Sequence, residues 1–281
     1  MPELPEVETI RSQLAPGLAG RVVKHVTITD ERLTRPEPPD AIAGALEGER
    51  IADVRRRGKY LIFRLESGRH LLVHLRMTGG FAHPAVDEDT DPHRRATITL
   101  DDGSDIAYRD VRRFGTWLLL EPGELEDYLA ARIGGEPLER SFTTAAFAKA
   151  LAGRRTPVKA ALLDQKAVAG VGNIYADEAL WRAQIHPRRA TRTLGMPEVA
   201  RLRDAVRWAL RRGIARQGAT LRDYRGANGA RGRMQSAFRV YGRAGEPCDR
   251  CGTPIEKIRV AGRGTWFCPH CQPFDRERRE S

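Results

Sequence analysis

Apolar residues recur at helical spacing from the start of the chain, where Val7, Ile10 and Leu14 lie three and four positions apart. Pro5 falls in the first turn, where its missing N–H costs nothing, so the pattern predicts a short helix over 5–14. From 21 to about 120 the period shortens to that of strands: VVKHVTIT from Val22, YLIFRL from Tyr60, HLLVHLRM from His70, ATITL from Ala96 and TWLLL from Thr116. Turn residues such as Glu66-Ser67-Gly68 and Asp102-Gly103 separate these runs, which predicts a mostly antiparallel β-sandwich. Gly134, Gly135 and Pro137 interrupt both patterns. Helical spacing follows from Thr143 to Leu151, from Val158 to about Val168, from a start at Asn173, and along Val199, Leu202, Val206, Ala209, Leu210 and Gly213. The glycine- and arginine-rich stretch from Gly226 to Gly232 has no period and reads as a mobile loop. No internal repeat is present.

The length of 281 residues suffices for two lobes that each bury a core without disulfides. Lys and Arg number 48 against 37 Asp and Glu, a formal charge of +11. Such an excess suits a polyanion binder, with nucleic acid the leading partner, although arginine-rich solvated faces give the same count. Arg201, Arg203, Arg207, Arg211 and Arg212 lie off the apolar stripe of their helix and fit either reading. The start MPELPEVETIR lacks a basic-then-apolar leader, and no run approaches the ~20 apolar residues of a membrane span, so a cytoplasmic, non-membrane protein is expected.

All four cysteines fall near the C-terminus as Cys248-x-x-Cys251 and Cys268-x-x-Cys271. This two-knuckle spacing brings four thiolates around one zinc, and a shell filled by cysteine leaves no position for water. One structural Zn2+ is therefore expected. Between the knuckles, two strand-like runs flank Arg263, which is expected at a hairpin tip, suited to bidentate phosphate contact or simply surface-exposed. In Asp164-Gln165-Lys166-Ala167-Val168-Ala169-Gly170-Val171-Gly172-Asn173, a glycine turn leads into a helix capped at or near Asn173. The N-terminus of that helix suits a phosphate, and an ordinary capping asparagine fits equally.

MPELPEVET, DVRRFG at 110–115, DQKAVAGVGNIYADEALW at 164–181, VYGRAGEPC at 240–248 and the cysteine knuckles with GRGTWFC resemble the bacterial formamidopyrimidine-DNA glycosylases from end to end. The resemblance implies an α+β chain in three parts. These are an N-terminal catalytic β-sandwich over 1–135, a helix-two-turn-helix domain over 136–239 with a lesion loop at 217–237, and a zinc finger over 240–281. Damaged double-stranded DNA would lie between the lobes, bound by a monomer at the nucleoid. The activity implied is that of a bifunctional glycosylase and AP lyase of base excision repair, with 8-oxoguanine and formamidopyrimidines as lesions. Oxidised pyrimidines, as in the endonuclease VIII branch, are the alternative, and a non-catalytic zinc DNA-binding protein is a third reading.

By the same resemblance Pro2 is the nucleophile, Glu3 its acid/base partner, Lys59 and Arg263 are the further catalytic residues, and Lys59, Arg263, Asn173 and His74 reach DNA phosphates. Tyr241 is a further DNA contact. Met77, Arg112 and Phe114 fill the gap left by the everted nucleotide, although Met and Phe are more often core residues. Removal of Met1 would expose the secondary amine of Pro2; a free α-amino group titrates near pH 8, which leaves a useful unprotonated fraction at neutral pH. Glu6 is a weaker acid/base candidate, and Glu3 and Glu6 also fit a plain helix-start role. Thr220, Arg222 and Tyr224 are candidate base contacts. Val111 stands where the family usually has proline, and Arg233-Met234 stands where its lesion loop ends in an aromatic, which puts the capping of the base in question.

Overall fold

The structure is a computed structural model that describes residues 1–84 and 91–274. It forms two compact units that do not follow chain order: Met1–Ala131 with Ile214–Arg233, and Arg132–Gly213 with Met234–Ser281. Most of the segment expected to be a lesion loop within the helical domain thus packs with the first unit.

In the first unit, helix α1 spans Leu4–Leu18, past the expected end at 14 and through Pro16, because the buried stripe of Val7, Ile10 and Leu14 continues to Leu18. Strands β1 (Val23–Ile28), β6 (Arg94–Leu100), β7 (Asp105–Asp110) and β5 (Gly79–Ala82) make one antiparallel sheet in that order. Strands β2 (Ile51–Arg57), β3 (Tyr60–Leu65), β4 (His70–His74) and β8 (Thr116–Leu120) make the other. Side chains of both sheets and of α1 share one core, including Ile10, Val26, Phe63, Val73, Phe81 and Trp117. Each such side chain contributes ~1.5–3 kcal/mol by leaving water. Helices α2 (Pro39–Leu46) and α3 (Glu124–Ala130) are further elements of this unit.

In the second unit, α4 (Thr144–Leu151) starts on the Thr143 side chain, which accepts from Ala146 N at 3.1 Å. Helix α5 covers Val158–Leu163 and stops five residues short of the expected end. Asp164 leaves the helical region and its Oδ1 accepts from Lys166 N at 3.0 Å, an Asx turn that competes with another helical turn. Gln165 then spans the loop: its amide donates to the carbonyls of Leu163 and Val171, and its Oε1 accepts from Gly170 N, each at 2.9 Å. Helix α6 (Asn173–Ala183) follows, with Gly172 rather than Asn173 as its cap, and α7 covers Met196–Ala215. The hairpin of β9 (Glu256–Val260) and β10 (Arg263–Phe267) turns through Ala261 and Gly262, at φ 49° and 75°. Those two residues form the tip. Arg263 sits beside it, exposed, as the first residue of β10.

Candidate functional site

Pro2 and Glu3 are buried immediately ahead of α1. Glu3 is the N-cap, and it forms a reciprocal capping box with Glu6, whose Oε2 accepts from Glu3 N at 2.9 Å. The other Glu6 oxygen accepts from Ala219 N at 2.8 Å, so Glu6 fastens the 214–233 segment to the chain start instead of standing ready as an acid. Tyr224 donates its hydroxyl to Gln217 O at 3.1 Å, and Thr220 donates to Tyr224 O and accepts from Gly232 N, both at 2.9 Å. These two candidate base contacts therefore brace the neck of the segment, while Arg222 is exposed. Asn228 N reaches the Gln13 side chain at 3.4 Å and His83 N donates to Ala227 O at 3.0 Å, so the stretch expected to be mobile is docked. Met234 is fully buried, which removes it as a cap on a base and leaves the exposed Arg233 of that pair.

Lys59 is buried at the β2–β3 turn, next to Gly58 at φ 57°. His74 ends β4, with its ring edge-on to Tyr60 at 4.8 Å. Its Nδ1 accepts from Arg76 N at 3.0 Å, which places the proton on Nε2. Burial, then the charges of Arg76 and Lys59, pull its pKa down to about 3, so His74 is a neutral hydrogen-bond donor. The sign follows: the unfolded imidazole titrates near 6.5, so stability from neutral His74 is complete above that pH and declines as pH falls below it. In NMR titration the ring carbons of His74 are expected to stay flat from about pH 8 to about pH 5; a midpoint near 6.5 would contradict the placement.

The wedge candidates come together in the first unit. Met77 and Phe114 are exposed by 36% and 51%, unusual for side chains of this type, and the Arg112 guanidinium lies 4.7 Å over the Phe114 ring. Thr78 ties their loops: its hydroxyl donates to Asp110 and accepts from Arg112 N at 2.9 Å. Asp110, 1% exposed, also accepts from Gly115 N at 2.7 Å. Arg113 is spent on a fork to buried Asp30 at 2.5 and 2.7 Å, which separates it from Arg112. Val111 is exposed on the same loop.

In the second unit, Asn173 Nδ2 donates to Gly264 O at 3.1 Å, directly beside Arg263. Lys159, fully buried, donates to the same carbonyl at 2.9 Å and to Thr265 Oγ1 at 2.8 Å, and pairs with Asp177 Oδ1 at 2.7 Å. Asp177 Oδ2 accepts from Trp266 N at 3.0 Å. The start of α6 and the arginine-bearing strand are thereby locked in register. Glu178 accepts from the backbone N–H of Arg239, Val240 and Tyr241 at 3.0–3.1 Å, and the Tyr241 ring rests 4.5 Å from that of Trp266. None of Lys159, Asp177 and Glu178 was singled out by sequence reasoning; the lysine inside the apolar run VKAALL was the available signal. Burial pushes the Asp177 carboxyl up to about 7 against the pull of Lys159. Lys159→Met leaves that carboxyl without its cation, so a loss of about 3–5 kcal/mol in urea unfolding is expected. The carboxyl must then hold a proton to stay folded, so the variant is expected to weaken as pH rises from the ordinary carboxyl value of 3.8 through about 7. A loss below about 1 kcal/mol would show the pair to be dispensable.

The four cysteine sulfurs lie within 4.8 Å of one another, with separations of 3.5 Å for Cys251–Cys268 and Cys251–Cys271 and 3.9 Å for Cys248–Cys271. A zinc tetrahedron with Zn–S near 2.3 Å has edges of about 3.8 Å, so the donor set fits. Trp181 Nε1 donates to Cys248 Sγ at 3.4 Å, and Cys271 N to Cys268 Sγ at 3.4 Å, which orients the ligands.

Three family models match the chain: the formamidopyrimidine-DNA glycosylase N-terminal domain over residues 1–117, the formamidopyrimidine-DNA glycosylase H2TH domain over 133–225, and a zinc finger found in FPG and IleRS over 245–273. The formamidopyrimidine-DNA glycosylase of Herpetosiphon aurantiacus is 45% identical across 97% of this chain and all of its own. The crystal structure of the MutM (FPG) protein from Thermus thermophilus is 43% identical, with a TM-score of 0.87 over 98% of this chain and 100% of its own. A Lactococcus lactis FPG variant in complex with a Fapy-dG containing DNA is 38% identical, with a TM-score of 0.91 over 97% and 100%.

Proposed function

Because the chain belongs to the formamidopyrimidine-DNA glycosylase family, we infer that it is a bifunctional DNA glycosylase and AP lyase of base excision repair that excises oxidised purines. The observation that carries this reading is a family match along nearly the whole chain that includes a Pro2-Glu3 pair at a buried helix start. Binding alone gives no reason for that terminus.

In this reading, loss of Met1 frees the Pro2 amine to act as the nucleophile. The amine nitrogen bonds to C1′ of the damaged nucleotide as the glycosidic bond breaks, and its electron pair leaves with the base, which takes up a proton. Glu3 protonates the ring oxygen O4′; the ring opens and an iminium joins Pro2 to C1′. The iminium acidifies C2′, whose proton is removed as the 3′ phosphate departs, and a second elimination expels the 5′ phosphate. Met77, Arg112 and Phe114 occupy the gap in the duplex. Lys59, His74, Asn173 and Arg263 hold phosphates, so affinity falls steeply with salt. The cysteine-held zinc supplies no chemistry; its ligands Cys248, Cys251, Cys268 and Cys271 keep the Arg263 hairpin folded. Since its substrate is chromosomal DNA, the enzyme belongs at the nucleoid in the cytoplasm, and one chain carries every group named, so a monomer suffices. Among the described residues no helix is long and apolar enough to cross a membrane.

Incision of matched duplexes tests the assignment. A duplex with 8-oxoguanine opposite cytosine is expected to be cut to a one-nucleotide gap with phosphate at both ends, well ahead of one with thymine glycol. Preference for thymine glycol would move the protein to the pyrimidine branch, and tight binding without incision would make it a non-catalytic binder.

A further inference from the structure

The wedge residues stand on two loops, 75–79 and 110–115, that end in Gly79 and Gly115. Neither glycine has a positive φ, so backbone conformation does not explain them. Space does. A Cβ at Gly115 would lie 1.8 Å from the Tyr108 hydroxyl oxygen; one at Gly79 would lie 2.4 Å from the same atom and 2.5 Å from Leu75 O, so its own loop and the hydroxyl both exclude a side chain there. Tyr108 is fully buried, its ring fixed 5.1 Å from that of Phe81 and 5.4 Å from that of Trp117. Its hydroxyl has no hydrogen-bond partner among the described residues. A phenylalanine would fill the ring site without desolvating an oxygen, so the core does not require this hydroxyl.

We propose that the Tyr108 hydroxyl is a positioning strut for base eversion, setting the separation of the two loops that carry Met77, Arg112 and Phe114. This rests on the wedge reading given above. The loops are drawn together by Thr78 and Asp110, which bond to each other, to Arg112 N and to Gly115 N. These ties fix the loops at the points they join and leave the tilt of each loop about them to be set. The hydroxyl is the spacer: it touches the end of each loop, and glycine at both ends lets it do so. Entry into a base stack depends on how far the wedge projects, and tyrosine sets that projection from below without contacting DNA.

Tyr108→Phe is the test, read by stopped-flow fluorescence of 2-aminopurine placed beside 8-oxoguanine in a duplex. The expected result is a melting temperature equal to or above that of the parent, with eversion slower by about tenfold, the scale on which small misplacements cost rate. Gly115→Ala is expected to lower the melting temperature, and adding Tyr108→Phe should recover most of that loss. Without the oxygen, the nearest atoms to the new Cβ are Tyr108 Cζ and Asp110 Oδ2, each at 3.0 Å, which small shifts relieve. Parental eversion in Tyr108→Phe, or a lowered melting temperature with no recovery in the double variant, would overturn the strut. Met77→Ala in parallel separates the two ideas. If it slows eversion and Tyr108→Phe does not, the strut alone fails; if neither does, the wedge reading fails with it.

Discussion

Pro2→Glu is expected to lower excision of 8-oxoguanine by about a thousandfold or more, the scale on which loss of a nucleophile is felt. The glutamate side chain blocks removal of Met1, so the chain starts one residue early and the secondary amine never forms. Pro2 precedes the capping box rather than forming part of it, so α1 should persist. Circular dichroism and zinc content are expected to match the parent, which separates lost chemistry from lost structure. Single-turnover excision within about tenfold of the parent would place the nucleophile elsewhere.

Removing zinc is expected to have the second largest effect. A structural four-cysteine site contributes on the order of 10–16 kcal/mol of binding energy that exists only in the folded hairpin. Cys248 and Cys271 are buried with Ile255, Val240 and Trp181 in one small cluster, so loss of the ion undoes that cluster too. With it goes the strand that offers Gly264 O to Lys159 and Asn173 and carries Arg263. After chelation, hydrogen exchange over 256–267 should rise to the unprotected rate, and duplex affinity should drop by about 100-fold at moderate salt. Added zinc should restore both. A metal-free protein with a protected hairpin and undiminished affinity would show that the four thiols hold themselves.

The cysteine spacing and the long stripe of α7 were legible because each is a local pattern with one physical solution. Strand β2 was not, since IADVRRR buries only Ile51 and Val54 and reads as polar. Strand β5 was hidden by its two glycines, which signal a turn until the close approach of Leu75 O and the Tyr108 oxygen explains Gly79. The stop of α5 at Leu163 depends on an Asx turn and on Gln165 reaching across the loop, interactions with no period to detect. Family motifs supplied the candidate residues, whereas periodicity supplied their elements. Neither could show that Glu6 accepts from Ala219, or that Arg113 and Arg112 have different tasks, because those depend on chain segments far apart in sequence.

Borohydride trapping on a duplex carrying 8-oxoguanine, followed by digestion and tandem mass spectrometry of the sugar adduct, locates the nucleophile. A single adduct is expected on the N-terminal peptide, at the nitrogen of Pro2, in chains that have lost Met1. An adduct at Lys59 or any other lysine, or efficient incision with nothing trapped, would contradict it.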